Sequence, residues 1–409
     1  MCGEGMGHAT RSWPIIRELS ARYEVHVFAG GRVYEYLVSR VEHLHWIQTL
    51  ALVYEDNRVN VAASWLTNWR RLAQFLWSAG KFISMALALR PRVLVTDYEA
   101  VSAYMSVPLR LKSVCFDNQH VFGRTGVTYP ERYERDARAL GTANFATVPY
   151  ANRYVVSTFY HPPVTRAHTR LVPPVVRPEV LELETSDSDT VLVYQTSASN
   201  RALIPTLNQV AGEFVVYGLG RDEVIGNCTL RTFSEVRFLE ELARARAVIT
   251  NGGHTLITEA LALGKPVLSE PVQGQFEQIL NAIHIERMGV GRHIEKLTPE
   301  AVTSFLAELD RFRAVLHDSY PRPDNAAAIH GLEEAIWELS PALRELVAPE
   351  RSAALDQLPV KPLLVEHHAV GAEAAQVGGE GQGGAASARA VQGGEHTRAQ
   401  AGEVTRGRE

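Results

Sequence analysis

The stretch T-N-G-G-H-T-L-I-T-E-A-L-A-L-G-K-P-V-L-S-E-P, Thr250–Pro271, contains the repeating unit of the fold. An apolar run, Ala247–Thr250, stops at Gly252–Gly253, and a helical pattern begins near Thr255. A second apolar run, Lys265–Pro271, leads into a polar loop with Gln273, Glu277 and Gln278. Strand, tight turn, helix and strand is the unit of a parallel sheet covered by helices. A helix that opens straight after two glycines presents unobstructed backbone N–H groups, which suits an anion. Glu259, one turn into the helix, is placed to accept hydrogen bonds from ribose hydroxyls. The polar loop suits sugar hydroxyls.

The same unit recurs in both directions. Tyr23–Gly30, Arg92–Asp97 and Lys112–Asp117 read as buried strands, with helical periodicity between them in R-S-W-P-I-I-R-E-L-S-A-R-Y (Pro14 in the first turn) and A-V-S-A-Y-M-S-V-P-L-R-L. A second series follows at Thr190–Ser197, Glu213–Gly220, Ala247–Gly253 and Lys265–Pro271. Pro162, Pro163, Pro173, Pro174 and Pro178 crowd the connection between the two series, as in an interdomain linker. Two such α/β domains leave a cleft at the C-terminal ends of their strands, where ligands of these folds bind. From about residue 345 the chain turns Gly-, Ala-, Glu- and Gln-rich without apolar periodicity and reads as a disordered tail.

A net charge of −5 gives no general nucleic-acid footprint. Cys2, Cys115 and Cys228 are odd in number and scattered, which argues against a disulfide framework or a zinc site and fits a reducing, cytoplasmic compartment. No signal peptide or membrane-spanning run is expected. Asn68–Pro91 is unusually apolar for a helix, with Trp69, Phe75, Trp77 and Phe82. Packing on the sheet is the expected arrangement, with rest on a membrane surface the alternative.

The chain begins M-C-G-E-G-M-G-H-A-T-R-S, with Gly3, Gly5 and Gly7 ahead of His8. The G-x-G-x-G spacing and the lack of an acidic residue after Tyr23–Gly30 argue against a dinucleotide site. Ser186–Asp189, S-D-S-D, precedes a strand, unlike a metal-binding D-x-D, and reads as a loop.

These motifs together resemble the GT-B glycosyltransferases, in particular a family-28-like bacterial and archaeal group related to the lipid II-forming N-acetylglucosaminyltransferase and the UDP-glycosyltransferases. The resemblance rests on Gly3–Ser12, Asp117–His120, Tyr194–Ser197, Gly252–Glu259 and Gln275–Ala282, in order over residues 1–340. It implies two Rossmann-like domains facing a cleft: an acceptor domain at 1–165 whose first strand is truncated, and a donor domain at 166–344, ahead of the tail at 345–409. It implies that Gly252, Gly253 and Thr255 hold a diphosphate, Glu259 the ribose, and Glu277 and Gln278 the donor sugar. Ser197 reaches phosphate, and Phe233 is either the base pocket or a core aromatic. Related plant enzymes carry a phosphate-binding histidine where this chain has Asn251, which leaves the role of His254 open.

In the resembling enzymes the glycine loop faces the acceptor, with a histidine as general base. That makes His8 the candidate base, suited to the task by an imidazole pKa near neutrality. Asp97 matches its orienting carboxylate, with Glu99 and Asp117 as rivals and a helix N-cap as the alternative role for Asp97. Gly5 and Gly7 belong to the loop, and Arg11 either meets phosphate or acceptor or is a solvated helix residue.

The expected reaction is transfer of a hexose from a nucleotide sugar, UDP-linked, to an acceptor hydroxyl. It is expected to proceed with inversion and without a metal or other cofactor. The expected acceptor is a lipid-linked or cell-envelope glycan reached at the inner face of the membrane. A UDP-sugar 2-epimerase of the same fold and an inactive nucleotide-sugar-binding protein are the competing readings. Losing a central parallel strand would leave neighbouring backbone groups unpaired, so the natural start is expected upstream of Met1.

Overall fold

A computed structural model describes residues 1–3, 6–51, 53–55, 58–186, 188–195, 200–320 and 323–346. Gly5, Ser197 and the tail from residue 347 lie outside the described residues.

The first half alternates helices and short strands: α1 (Met6–Ser20), β1 (Val27–Ala29), α2 (Gly31–Leu37), β2 (Leu44–Trp46), a small hairpin β3 (Tyr54–Glu55) and β4 (Arg58–Val59), α3 (Val61–Arg70), α4 (Leu72–Leu89), β5 (Leu94–Thr96), α5 (Ala100–Ser106), β6 (Ser113–Asp117), a single turn α6 (Val121–Arg124), α7 (Glu134–Thr147), β7 (Arg153–Ser157) and β8 (Thr169–Val172). Strands β5-β6-β7-β8 form one parallel ladder and β1-β2 another. All five residues of β6 are buried, as expected of a strand covered on both faces. In β5, Leu94 and Val95 are only half-buried. Between the two ladders runs the start of the chain: the Met1 ammonium donates to Phe28 O at 2.8 Å, and Cys2 N to Asp97 O at 2.8 Å.

After α8 (Pro178–Glu182), the second half builds a seven-stranded sheet in the order β11-β12-β10-β9-β13-β14-β15. Its strands are β9 (Thr190–Tyr194), β10 (Glu213–Tyr217), β11 (Glu223–Ile225), β12 (Cys228–Arg231), β13 (Ala247–Thr250), β14 (Val267–Ser269) and β15 (Gly291–His293). All pairs are parallel except β11 on β12. The helices described in this half are α9 (Leu203–Leu207), α10 (Glu235–Arg244), α11 (His254–Ala262), α12 (Phe276–Arg287), α13 (Pro299–Ala307), α14 (Leu309–Ser319) and α15 (Asn325–Leu339). One core joins Val191, Val193, Phe214 and Leu268 of this sheet to Phe305 and Phe312.

Three sequence expectations need correction. The proline-rich connection is not all linker, because Thr169–Val172 pairs with β7 and extends the first sheet past residue 165. The last helix also returns to the first half: Ile329, Leu332 and Ile336 of α15 pack with Ile15, Val114, Phe116 and Val155. The division at 166–344 is therefore not contiguous, since the apolar face of α15 finds its partner on the other sheet. Third, α4 packs against the first half along one face only. Among its residues only Ser78 and Phe82 are buried.

Candidate active site

Helix α1 starts earlier than its sequence suggests. It begins at Met6, so His8 stands in the first helical turn rather than on a loop, and Pro14 falls in the interior. Proline at that position removes one helical hydrogen bond. His8, Arg11 and Ser12 are spaced i, i+3 and i+4 and so share one face. All three meet Asp97, in the turn after β5. His8 Nδ1 lies 3.0 Å from both carboxylate oxygens. Arg11 Nη2 donates to Oδ1 at 2.6 Å and Ser12 Oγ to Oδ2 at 3.0 Å. Burial alone would raise the Asp97 pKa, but the charges of Arg11 and then His8 outweigh it and hold the carboxyl well below its ordinary range. Arg11 Nη2 also lies 3.1 Å from His8 Nδ1. A protonated Nδ1 that donates to Asp97 leaves Nε2, across the ring, as the basic atom.

The rivals of Asp97 have other tasks. Glu99 caps α5, accepting from Val101 N and Ser102 N at 2.8 Å each, so the N-cap role falls to it and not to Asp97. Asp117 accepts from His120 Nδ1 at 2.7 Å, from His120 N at 3.1 Å and from Cys115 Sγ at 3.1 Å. Folding thus gathers Cys115, Asp117 and His120 into one buried cluster with metal-ligand chemistry, which their sequence positions did not suggest. Within it the Asp117 carboxylate accepts from both of the other side chains. Arg11 is 3% exposed, so the solvated reading of it is wrong: its charge is needed beside a buried carboxylate.

Across the cleft, α11 points its N-terminus toward that of α1. Thr255 Oγ1 donates to Gly7 O at 3.2 Å, so the hydroxyl expected to hold diphosphate here joins the two halves. A second contact runs from Gln119 Nε2 to Glu277 Oε2 at 3.0 Å. Burial raises the Glu277 pKa, opposed by the charges of His8 and Arg11. Gly252 has φ +90, and a Cβ there would sit 2.9 Å from both Ser269 Oγ and Gln278 O. Gly253, the N-cap residue, has ordinary β-region dihedrals, and a Cβ built on it meets nothing within 4 Å. The helix end therefore faces open space at Gly253.

His254 opens α11. It is 4% exposed, and neither ring nitrogen has a hydrogen-bond partner among the described residues. Burial, then the charges of Arg11 and His8, push its pKa well below that of free histidine. Asn251 points elsewhere: its Nδ2 donates to Glu270 O at 3.0 Å. Of the two residues, His254 is the one with unspent hydrogen-bonding capacity beside the helix N-terminus.

Glu259 is buried, and both its oxygens accept from Arg177, at 2.7 Å each. Arg177 also donates to Glu235 at 3.2 Å, and Glu235 accepts from Tyr36 OH of the first half at 3.1 Å. Sequence reading missed Arg177, whose only signal was its place at the end of the proline-rich connection. A ribose hydroxyl would have to share Glu259 with it. Glu277 and Gln278 stand in the first turn of α12 rather than in a loop. Gln278 is turned inward, its Oε1 accepting from Val272 N at 3.0 Å, while Glu277 reaches Gln119 of the first half. Phe233 is 49% exposed beside Tyr217 and Phe238, so it is not a core aromatic. A surface hollow of about 260 Å³, bordered by Ser188, Asp189, Arg246 and Arg313, lies at the start of β9 and away from these groups.

The chain matches the model of the family described as "Glycosyl transferase family 1" over residues 1–310. It is 24% identical over 348 residues to an uncharacterized glycosyltransferase of Methanosarcina acetivorans, covering 78% of this chain and 89% of that protein. A second uncharacterized glycosyltransferase, from Methanosarcina mazei, is 24% identical over 385 residues, covering 86% and 97%. Among solved structures, a UDP-glucosyltransferase of Polygonum tinctorium superposes with a TM-score of 0.56 at 14% identity, covering 82% of this chain and 97% of that one. The glycotransferase of kitacinnamycin gives 0.53 at 17% identity, covering 84% and 96%. The fold of these neighbours and the match across most of the chain make the protein a GT-B glycosyltransferase belonging to glycosyl transferase family 1.

Proposed function

We propose that the enzyme moves a hexosyl group from a UDP-linked sugar to an acceptor hydroxyl by direct displacement, with inversion at the anomeric carbon. The observation that carries this reading is the His8–Asp97 pair placed where the N-termini of α1 and α11 converge. In this reading His8 Nε2 takes the acceptor's hydroxyl proton as its oxygen bonds to the anomeric carbon. The bond to the diphosphate oxygen breaks, and its electron pair leaves with the diphosphate. Asp97 stabilises the imidazolium that forms.

The N–H groups of α11 and the field of its aligned peptides would hold the departing charge without calling on a metal ion. Gly253 leaves room for the diphosphate to approach, and His254 supplies a neutral imidazole beside it. Glu277 would read the donor sugar and Phe233 would stack on the base, while the ribose would draw Glu259 from Arg177. The acceptor would be a lipid-linked or envelope glycan at the cytoplasmic face of a membrane. The Thr255–Gly7 and Gln119–Glu277 contacts close the two halves on each other, so donor entry requires them to part.

Thermal unfolding in the presence of UDP-, GDP- and dTDP-sugars tests the donor site, since a ligand of the native state raises the melting temperature. A rise with the UDP-sugars is expected, and the absence of a rise with all three classes refutes the site. Incubation of UDP-sugar without acceptor should leave the sugar's C2 configuration unchanged, whereas formation of the C2 epimer would identify an epimerase. Nucleotide binding without turnover on any acceptor would identify a binding protein.

A further inference from the structure

Helices α3 and α4 carry a surface that a water-facing position does not explain. Trp65 (64% exposed), Trp69 (59%), Leu76 (66%), Trp77 (56%) and Leu87 (62%) all face outward. Large contiguous apolar exposure marks a surface that meets something other than water. Trp65 and Trp69, one turn apart, stack on each other with centroids 5.6 Å apart and an interplanar angle of 10°. The Lys81 ammonium sits over the Trp77 ring at 5.3 Å.

The opposite face of α4 is tied to the protein. Phe82 is buried with Ile47 and Val101, Ser78 Oγ accepts from Gln48 N at 2.9 Å, and Lys81 Nζ donates to Trp46 O at 3.0 Å. Ser78, Lys81 and Phe82 are spaced i, i+3 and i+4. Leu72, Leu76 and Leu87 fall within about 60° of one another on the other side. Leu72–Leu89 is long and apolar enough to cross a membrane by composition, but a helix fastened along one face to the sheet lies flat on the molecule.

Charge decides the partner. Between Arg58 and Thr96 there is no Asp or Glu, while Arg58, Arg70, Arg71, Lys81, Arg90 and Arg92 supply six cations in a chain of net charge −5. Arg70 and Arg71 are exposed at the junction of the two helices. In a two-fold homodimer through this face, the same cations would confront one another. Tryptophan rings, leucines and unopposed arginines on one surface are instead the chemistry of the headgroup region of an anionic bilayer.

We propose that α3 and α4 form an interfacial docking surface for an anionic lipid bilayer, with Trp65, Trp69, Trp77, Leu76 and Leu87 entering the headgroup layer and Arg70 and Arg71 meeting lipid phosphates. Docking is a property of the surface and does not depend on the reaction. Its consequence, that the acceptor is amphiphilic and presented at the bilayer, rests on the transfer reaction proposed above.

The test is co-sedimentation of the full chain with vesicles of equal parts phosphatidylglycerol and phosphatidylcholine, against vesicles of phosphatidylcholine alone. The protein should pellet with the anionic vesicles and be released by salt. At roughly fivefold per cation, Arg70→Gln/Arg71→Gln should weaken partition about 25-fold. Trp65→Gln/Trp69→Gln should weaken it as well, and both variants should keep the parent melting temperature because the changed side chains are exposed. Equal pelleting with neutral and anionic vesicles overturns the proposal, as does no pelleting with either. A concentration-dependent dimer abolished by the tryptophan variant likewise overturns it in favour of a second copy. Absence of transferase activity with unaltered vesicle binding would count against the reaction and leave the docking surface standing.

Discussion

Asp97 performs two tasks that mutation can separate. It neutralises Arg11, 2.6 Å away and 3% exposed, and it faces His8 Nδ1 at 3.0 Å. Asp97→Asn keeps the shape, removes the charge and puts an amide N–H among groups that all donate. Leaving a buried guanidinium without its partner costs about 3–5 kcal/mol. Adding Arg11→Met removes the orphaned charge, so the double variant should regain most of that loss, ending within about 1–2 kcal/mol of the parent. Turnover should behave differently. Without the carboxylate nothing fixes Nδ1–H or stabilises the imidazolium, so general-base catalysis, on the order of 10²–10⁴ in rate, is lost in the single and double variants alike. Urea unfolding gives the first quantity, and release of nucleoside diphosphate at saturating substrates the second. Recovery of both stability and turnover in the double variant would show that Asp97 serves only to neutralise Arg11.

The two glycines before α11 should respond in opposite ways. Gly252→Ala forces a side chain into φ +90 and against Ser269 and Gln278, and should cost about 1–3 kcal/mol in unfolding measurements. Gly253→Ala should leave stability nearly unchanged and weaken nucleotide-sugar binding in calorimetry, since its methyl would occupy the space a diphosphate needs. Phe233→Ala should alter stability by less than about 0.5 kcal/mol. It should cost about 1–3 kcal/mol of UDP affinity if the ring stacks on the base, and unchanged affinity would remove Phe233 from the donor site. Acid should destabilise the fold through His284. Burial brings His284 down to about 4 from 6.5. Below pH 6.5 the unfolded chain binds a proton that the folded one refuses, and stability falls by about 2 kcal/mol between pH 7 and pH 5 for this group alone. Loss of this component in His284→Gln, followed by unfolding at both pH values, checks it.

Much of the protein was legible in its sequence because local pattern governs it. Apolar runs such as Ala247–Thr250 must be buried on both faces, and the glycine pair after them admits only a tight turn into a helix. The two α/β halves and the start of α11 straight after the two glycines follow from such short-range rules. The choice among Asp97, Glu99 and Asp117 could not be made this way. All three are carboxylates near strand ends, and only the packed structure assigns Glu99 to a helix cap and Asp117 to His120, leaving Asp97 to His8. The return of α15 to the first sheet, the grip of Arg177 on Glu259 and the outward face of α4 were likewise beyond reach. An amphipathic pattern says that a face must be covered but not by which partner, and a buried ion pair joins residues whose separation along the chain carries no signal. Local pattern sets the kind of element and the chemistry available. Which charges meet depends instead on where long-range packing places each strand end and helix terminus.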